Sequence, residues 1–395
     1  MKILHVIHST NPAGGGPIEG LKQLAREILR LGHQLEVACL DDPAAPWLAD
    51  FPLPVHPLGP ASGSYGYTPR LLPWLRAHAA EFDLLVVNGL WQFNSFGTWL
   101  ALRRTGVPYC VFTHGMLDPW FRRHYPLKHL KKWLYWPWGD YRVLRAAAAV
   151  LFTSEEERLV SRQSFWLYRC HETVVNYGTA GPLGDPAAQQ ALFLEKFPAL
   201  RGRRLLLFLG RIHEKKGCQE LLTAFQQVCA SAHPGLHLVL AGPAESDYAR
   251  ATRALGTRLG LDDRVTWTGL LAGDLKWGAF HAAEAFILPS HQENFGISVA
   301  EALACARPVL ISDRVNIWRE IDRDGAGLVE PDTLPGTARL LARWLALDPA
   351  ARAAMSTRAL ACFRQRFEIA HAARTLLEVY RQILQTRNAE GGTRK

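Results

Sequence analysis

Two carboxylates eight residues apart, Glu293 and Glu301, stand in and just after the run Pro289-Ser290-His291-Gln292-Glu293-Asn294-Phe295-Gly296. An apolar strand over 286–288 leads into a polar turn over 289–294, and a helix is expected from near Phe295 to about Ala306. The first carboxylate then lies on the turn at the helix N-terminus, and the second about two helical turns further in. Open parallel sheets take ligands at the carboxyl ends of their strands. There a carboxylate accepts hydrogen bonds from sugar hydroxyls, while the helix N-terminus favours an anion. On spacing alone, the pattern equally suits a solvated helix with two unrelated acids.

Other residues fit the same chemistry. Arg211 and Lys216 sit five apart in Gly210-Arg211-Ile212-His213-Glu214-Lys215-Lys216-Gly217, after an apolar strand. Both can reach one diphosphate, Arg as a fork and Lys as a point charge; alone, the segment also reads as a solvated basic turn. His114 follows a strand in Thr113-His114-Gly115, placed to donate or accept in a cleft, although a lone histidine is more often structural. Asn11-Pro12-Ala13-Gly14-Gly15-Gly16-Pro17 follows the first strand, with Pro17 suited to the first turn of a helix. Its glycines let backbone amides approach a phosphate or sugar. Gly14, Gly16 and Gly20 also fit a loose dinucleotide fingerprint with Asp41 as the ribose acid, but the glycines lie too far past the strand.

Trp120 to Trp138 mixes seven aromatics with five cations, Arg122, Arg123, Lys128, Lys131 and Lys132, and contains no acid. Aromatic rings settle at bilayer interfaces and cations are drawn to anionic headgroups. A packed helix with a charged solvated face reads the same way, and part of the charge could instead serve an acceptor's phosphate.

These residues need elements to hold them. Apolar strands at 3–8, 34–40, 84–88, 109–113 and 150–153 alternate with helical patterns such as 18–31 and 98–104. A second series has strands at 205–209, 237–241, 264–268, 286–288, 309–311 and 327–329. Near-continuous apolar strands between amphipathic helices indicate parallel sheets covered on both faces. The expected class is α/β, with two Rossmann-like doubly wound domains facing across a cleft. The first spans 1–180, a Gly/Pro-rich linker 181–203, and the second 204–367. A C-terminal helix over 368–387 is expected to pack back on the first domain, and 388–395 reads as a disordered tail.

The 395 residues carry net charge +9 and are 48% hydrophobic, which fits two folded domains with anionic partners. Nucleic acid is the least supported partner, for want of a zinc-finger, RNP-type or helix-turn-helix signature. Seven scattered cysteines without a C-x-x-C pair read as thiols in a reducing compartment. The N-terminal run is too short and polar for a signal peptide, and no stretch reaches the length of a membrane span. The expectation is a cytoplasmic protein.

The ordered set resembles the retaining glycosyltransferases of the GT-B fold, family 4 (group 1), over nearly the whole chain. It comprises the Gly-rich loop, His-Gly, Gly-Arg-x-x-x-x-Lys-Gly and Glu-x7-Glu. Within the family it is similar to bacterial polysaccharide and lipopolysaccharide enzymes. The resemblance implies a nucleotide-diphosphate sugar donor, a glycan or lipid-linked acceptor, and no metal or other cofactor. It implies that Glu293 accepts from donor-sugar hydroxyls and that Glu301 holds the ribose. Arg211 and Lys216 would neutralise the departing diphosphate, and His114 would face the reacting carbon. Gly15 and Gly16 would line the diphosphate and acceptor side, and Asn294, Phe295 and Gly296 would present backbone amides.

The chain departs from the family in two places. Val315-Asn316-Ile317-Trp318-Arg319-Glu320 replaces a usual Gly-Gly-x-Pro-Glu, and Asn176-Tyr177-Gly178 replaces Asn-Gly. The same fold also serves sugar-nucleotide epimerases, phosphorylases and non-catalytic sugar- or lipid-binding proteins, which stand as competing readings.

Overall fold

A computed structural model describes residues 1–12, 16–229 and 233–392. It divides into unit 1, residues 1–178 with 369–395, and unit 2, residues 179–368.

Unit 1 is built on a seven-stranded, wholly parallel sheet of β1 (Lys2–Ile7), β2 (Gln34–Cys39), β3 (Val55–Pro57), β4 (Leu84–Asn88), β5 (Tyr109–Phe112), β6 (Ala149–Phe152) and β7 (Glu172–Val174), ordered 3-2-1-4-5-6-7. Every residue of β4, β5 and β6 is buried, as strands covered on both faces require. The sequence reading missed β3 and β7. Both are three-residue edge strands, largely half-buried, so neither shows an apolar run. The Gly16–Arg30 helix buries Ile18, Leu21, Leu24, Ala25 and Ile28 along one stripe. The Ile369–Gly392 helix lies against it and buries Ala373, Leu377 and Tyr380. Its helical turns continue through residues 388–392, where a disordered tail was expected.

Unit 2 has a six-stranded parallel sheet of β8 (Arg204–Leu209), β9 (Leu236–Ala241), β10 (Val265–Gly269), β11 (Ala285–Leu288), β12 (Val309–Ser312) and β13 (Gly327–Glu330), ordered 10-9-8-11-12-13. The stretch 181–203 is not a bare linker. Asp185 caps a helix, Pro186–Lys196, by accepting from Ala188 N at 2.9 Å, with Pro186 at its first turn. That helix packs on Gly273–Ala282 closely enough that a Cβ at Gly278 would strike the Gln189 carbonyl. It buries Phe193 completely. A Gly/Pro-rich entry and a short, weakly amphipathic helix gave the sequence reading little to distinguish it from a connection.

Candidate functional site

In unit 2 the strand order reverses between the neighbouring strands β8 and β11, so their carboxyl-end loops lie side by side. Open α/β sheets take ligands at this switch point. The β8 loop carries Arg211 and Lys216, and the β11 turn carries Glu293. The His291 N–H donates to the Lys215 carbonyl at 2.8 Å, and Lys216 Nζ donates to a Glu293 carboxylate oxygen in direct contact. Two glycines permit this approach. Gly217 has φ +65°, and a Cβ there would strike the Pro289 carbonyl; one at Gly242, after β9, would strike the Gly210 carbonyl.

Lys216 and Glu293 are about four-fifths shielded, with side-chain exposures of 21% and 20%. Burial lowers the Lys216 ammonium to about 8, against which the contacting carboxylate favours the proton. Arg211 on the same turn is exposed and makes no ion pair among the described residues. The Glu293 N–H donates to the Arg314 carbonyl at 3.0 Å, and its carbonyl accepts from Asn316 N at 3.0 Å. Arg314 and the start of the divergent stretch, at Val315 and Asn316, therefore brace Glu293, and Val315 and Ile317 are buried.

The next helix runs Ile297–Ala304. Gly296, at φ +75°, precedes it and supplies no side-chain cap, so its first-turn amides have no side-chain partner at that cap. Phe295 is buried edge-on against Phe367, with ring centres 5.7 Å apart, so its side chain belongs to the core. The Asn294 side chain accepts from Asn316 at 3.5 Å. Glu301 is only 6% exposed, and burial raises its carboxyl pKa. Lys276, on the Gly273–Ala282 helix, donates to it at 2.7 Å. The sequence reading missed Lys276, because a cation twenty-five residues upstream on another helix carries no spacing signal.

His291 fixes the turn that carries Glu293. Its Nδ1 lies 3.3 Å from Asp332 and its Nε2 3.6 Å from Glu220. Its hydrogen bond to Asp332, and then its pairing with Glu220, raise its pKa from 6.5 to about 10. A raised folded pKa gives stability that is full below the unfolded value of 6.5 and is lost as pH rises through about 10. His291→Asn should therefore cost about 2 kcal/mol at pH 6 and far less near pH 10. Urea denaturation at both values checks this; an equal loss at the two would remove the charged pairing from the account.

In unit 1, His114 follows β5 with φ 47° and is part-buried beside Phe112, their rings stacked at 5.4 Å. Its Nε2 lies 3.2 Å from Asn88 Oδ1, and the Asn88 amide donates to His5 Nδ1 at 3.1 Å. With the amide so oriented, His114 carries its proton on Nε2, and so does His5. Burial lowers His114 to about 4; burial, then the neighbouring His114, lowers His5 to about 3. Both are neutral at pH 7. The buried Glu157 carboxylate clamps the turn on either side of His114. It accepts from Thr113 Oγ1 at 2.6 Å, from Gly115 N at 2.7 Å, and from Thr153 N and Oγ1, each at 2.7 Å. Asn88, His5 and Glu157 were invisible in the sequence because they meet only through the fold.

The structure corrects the placement of Lys132, agrees with setting the dinucleotide fingerprint aside, and narrows other readings. Asp41 is no ribose acid: it is 7% exposed, and its carboxylate accepts from Ser9 Oγ, Thr10 N and Thr10 Oγ1. It closes the turn after β1. Gly15, with Gly14, lies outside the described residues, while Gly16 opens its helix and is exposed. Of the basic segment, Arg122, Lys128 and Lys131 are exposed. Lys132 instead turns inward, with Nζ 4.5 Å from the centre of the Trp91 ring, and leaves the patch. The side chain of Arg123 lies outside the described residues.

Residues 15–178 match the model of the glycosyl transferase 4-like domain, and residues 191–361 that of the glycosyl transferases group 1. D-inositol 3-phosphate glycosyltransferase of Kineococcus radiotolerans is 30% identical over 269 residues, covering 64% of this chain and 61% of that protein. The chain thus spans about three-fifths of the length of the curated relatives it matches. Among solved structures, sucrose-phosphate synthase from Thermosynechococcus elongatus has a TM-score of 0.76 at 20% identity, covering 98% of this chain and 100% of that one. Anabaena HepE, solved with UDP and glucose, has a TM-score of 0.75 at 22% identity with the same coverage. At such identities the structural likeness establishes the GT-B fold. With two parallel-sheet units and a family model matched in each, the chain belongs to the group 1 glycosyl transferases.

Proposed function

We propose that this protein transfers a hexosyl group from a nucleotide-diphosphate sugar to a hydroxyl of a glycan or lipid-linked sugar, with retention of configuration, in cell-surface polysaccharide or lipopolysaccharide synthesis. The observation that carries the reading is the Lys216–Glu293 pair beside Arg211 and the helix start at Gly296, gathered at one switch point. As the bond from C1 to the diphosphate breaks, charge grows on the leaving oxygen. Lys216, Arg211 and the first-turn amides stabilise that charge more than the ground state, as rate acceleration requires. The acceptor oxygen bonds to C1 on the same face, and its proton passes to the departing phosphate. Glu293 accepts from donor-sugar hydroxyls, Glu301 from the ribose, and His114 is the catalytic histidine of unit 1. HepE, also solved with UDP-glucose, favours a nucleotide sugar as donor. Nucleotide release from UDP-, GDP- and ADP-sugars without acceptor tests the reading. Slow release from one donor is expected, and Glu293→Ala should reduce it about a hundredfold; equal release in the variant would remove Glu293 from the site.

The acceptor would be met as a peripheral contact at the inner face of the plasma membrane, from the cytoplasm. No described helix is long and apolar enough to cross a membrane, and Cys39, Cys110, Cys170, Cys218, Cys305 and Cys362 are free thiols. Trp136 is fully buried, stacked on Phe165 with centres 4.4 Å apart, and anchors the segment. Leu127, Leu130, Leu134 and Trp138, spaced three and four apart, are left 78%, 53%, 61% and 68% exposed. With Lys128 and Lys131 beside it, such a stripe suits an anionic bilayer surface. The protein should sediment with phosphatidylglycerol-containing vesicles and not with pure phosphatidylcholine. Lys128→Ala/Lys131→Ala should weaken binding roughly thirtyfold, at about 1 kcal/mol per charge. Sedimentation indifferent to both lipid charge and the substitutions would refute this contact.

A further inference from the structure

At the amino-terminal ends of β5 and β6, the opposite edge of the sheet from His114, unit 1 holds an open cavity of about 1030 Å³. Its walls are the loop over 103–108, the turn over 145–149 that enters β6, the start of β7, and the Ile369–Gly392 helix. Arg103, Arg104, Arg145, Arg387 and His171 line it, and no described aspartate or glutamate does. None of the four arginines makes an ion pair among the described residues, whereas Arg158, Arg204, Arg339 and Arg366 each pair with a carboxylate. Gly106 makes room for one of them: a Cβ there would stand 3.1 Å from the Arg387 guanidinium. The cavity's back wall is apolar, with Ala147 and Tyr109 buried and the Tyr109 hydroxyl already spent on the Val143 carbonyl at 2.6 Å.

Four guanidiniums round one hollow repel one another; Arg103 lies 5.7 Å from the centre of the Trp99 ring, and no described carboxylate pairs with any of the four. An anion with several oxygens would offset the repulsion, because planar guanidinium forks match phosphate oxygens two at a time. We infer that this cavity is a second anion site, distinct from the switch-point site of unit 2, and that it takes a phosphate-bearing ligand. The phosphate would lie among Arg104, Arg145 and Arg387, and the apolar wall would accept a small organic group attached to it. The same chemistry is offered by a free phosphorylated metabolite and by a phospholipid headgroup.

The probe is inorganic pyrophosphate, titrated calorimetrically into the full chain. The switch-point site is itself proposed to bind diphosphates, so the titration is run on wild type, on Lys216→Ala, and on Arg104→Ala/Arg145→Ala. The Lys216→Ala protein should keep one equivalent of binding. The arginine double variant should lose that equivalent, with affinity at least tenfold weaker, as removal of charge-assisted hydrogen bonds implies. Arg387→Ala, tested separately, should weaken it about tenfold. All of these arginines are exposed, so circular-dichroism melts of the variants should match wild type. Loss of all binding in Lys216→Ala, or unchanged binding in the double variant, would overturn the site. Absence of turnover by the wild-type protein with every donor, with the cavity titration intact, would instead count against the transferase reading alone. Displacement of pyrophosphate by glycerol 3-phosphate assigns a free metabolite; displacement by dihexanoyl phosphatidate at concentrations below micelle formation assigns a headgroup.

Discussion

Lys216→Ala should lower turnover at saturating donor by a hundredfold or more, the effect of removing one preorganised partner of a developing charge. In the resting protein the Lys216 ammonium is held by Glu293 in a shielded pocket, with the exposed Arg211 on the same turn. A donor diphosphate gives Lys216 an anion whose charge increases along the reaction, whereas the Glu293 charge stays fixed. Lys216 therefore gains most in the transition state, and its loss should fall on kcat more than on KM. The pair also predicts a coupling in stability. Lys216→Ala leaves a shielded carboxylate without its partner, and Glu293→Ala leaves a shielded ammonium, so each single variant should be destabilised by about 1–3 kcal/mol. The double variant should lose less than the sum of the two. Steady-state nucleotide release and urea denaturation on the four proteins measure both effects. Full turnover in Lys216→Ala would end the leaving-group role, and strictly additive stabilities would mean the contact is energetically idle.

How much of this was legible in the sequence depends on distance along the chain. The strands that form the sheet cores, such as β4 and β11, are continuous apolar runs bounded by turns, and their positions were readable to within a residue or two. Arg211, Lys216 and Glu293 were readable as candidates because each follows such a strand, and parallel sheets bring those ends to one edge. That Lys216 and Glu293 touch was not readable. It depends on β8 and β11 being neighbours, a fact of topology, and on Gly217 and Gly242 allowing backbone to approach backbone. The helix Pro186–Lys196 was misread although its start is written in Asp185-Pro186, because the glycines and prolines before it outweighed the cap. Lys132 was placed on the surface patch by composition, which says nothing about which side of a helix meets Trp91. The Lys276–Glu301 pair and the arginines of the amino-edge cavity share the same obstacle. Each is assembled from segments distant in sequence, and only the folded chain brings them together.

Glu157 provides the second large effect. Its carboxylate is 1% exposed and receives four hydrogen bonds from Thr113, Gly115 and Thr153 at 2.6 to 2.7 Å. It thereby ties the carboxyl end of β5 to that of β6 and holds the residues flanking His114, whose own backbone is left-handed at φ 47°. A non-glycine residue in that region is strained and keeps its conformation only where its surroundings impose it. Glu157→Ala would leave two backbone amides and two hydroxyls without their acceptor in a buried turn, at a cost of about 3–5 kcal/mol. Glu157→Gln keeps the shape and one acceptor oxygen but directs an NH2 group at two donors, so its cost should be intermediate. If Glu157 serves only to hold the fold, the glutamine variant, assayed where it is fully folded, should turn over donor like wild type. If it also positions His114, kcat should fall at least tenfold with donor KM little changed. A second readout is the His114 ring in NMR: its pKa of about 4 reflects burial, and release of the turn should expose the ring and move it back toward 6.5. A Glu157→Gln protein with unchanged His114 titration and unchanged kcat would leave Glu157 a purely structural clamp.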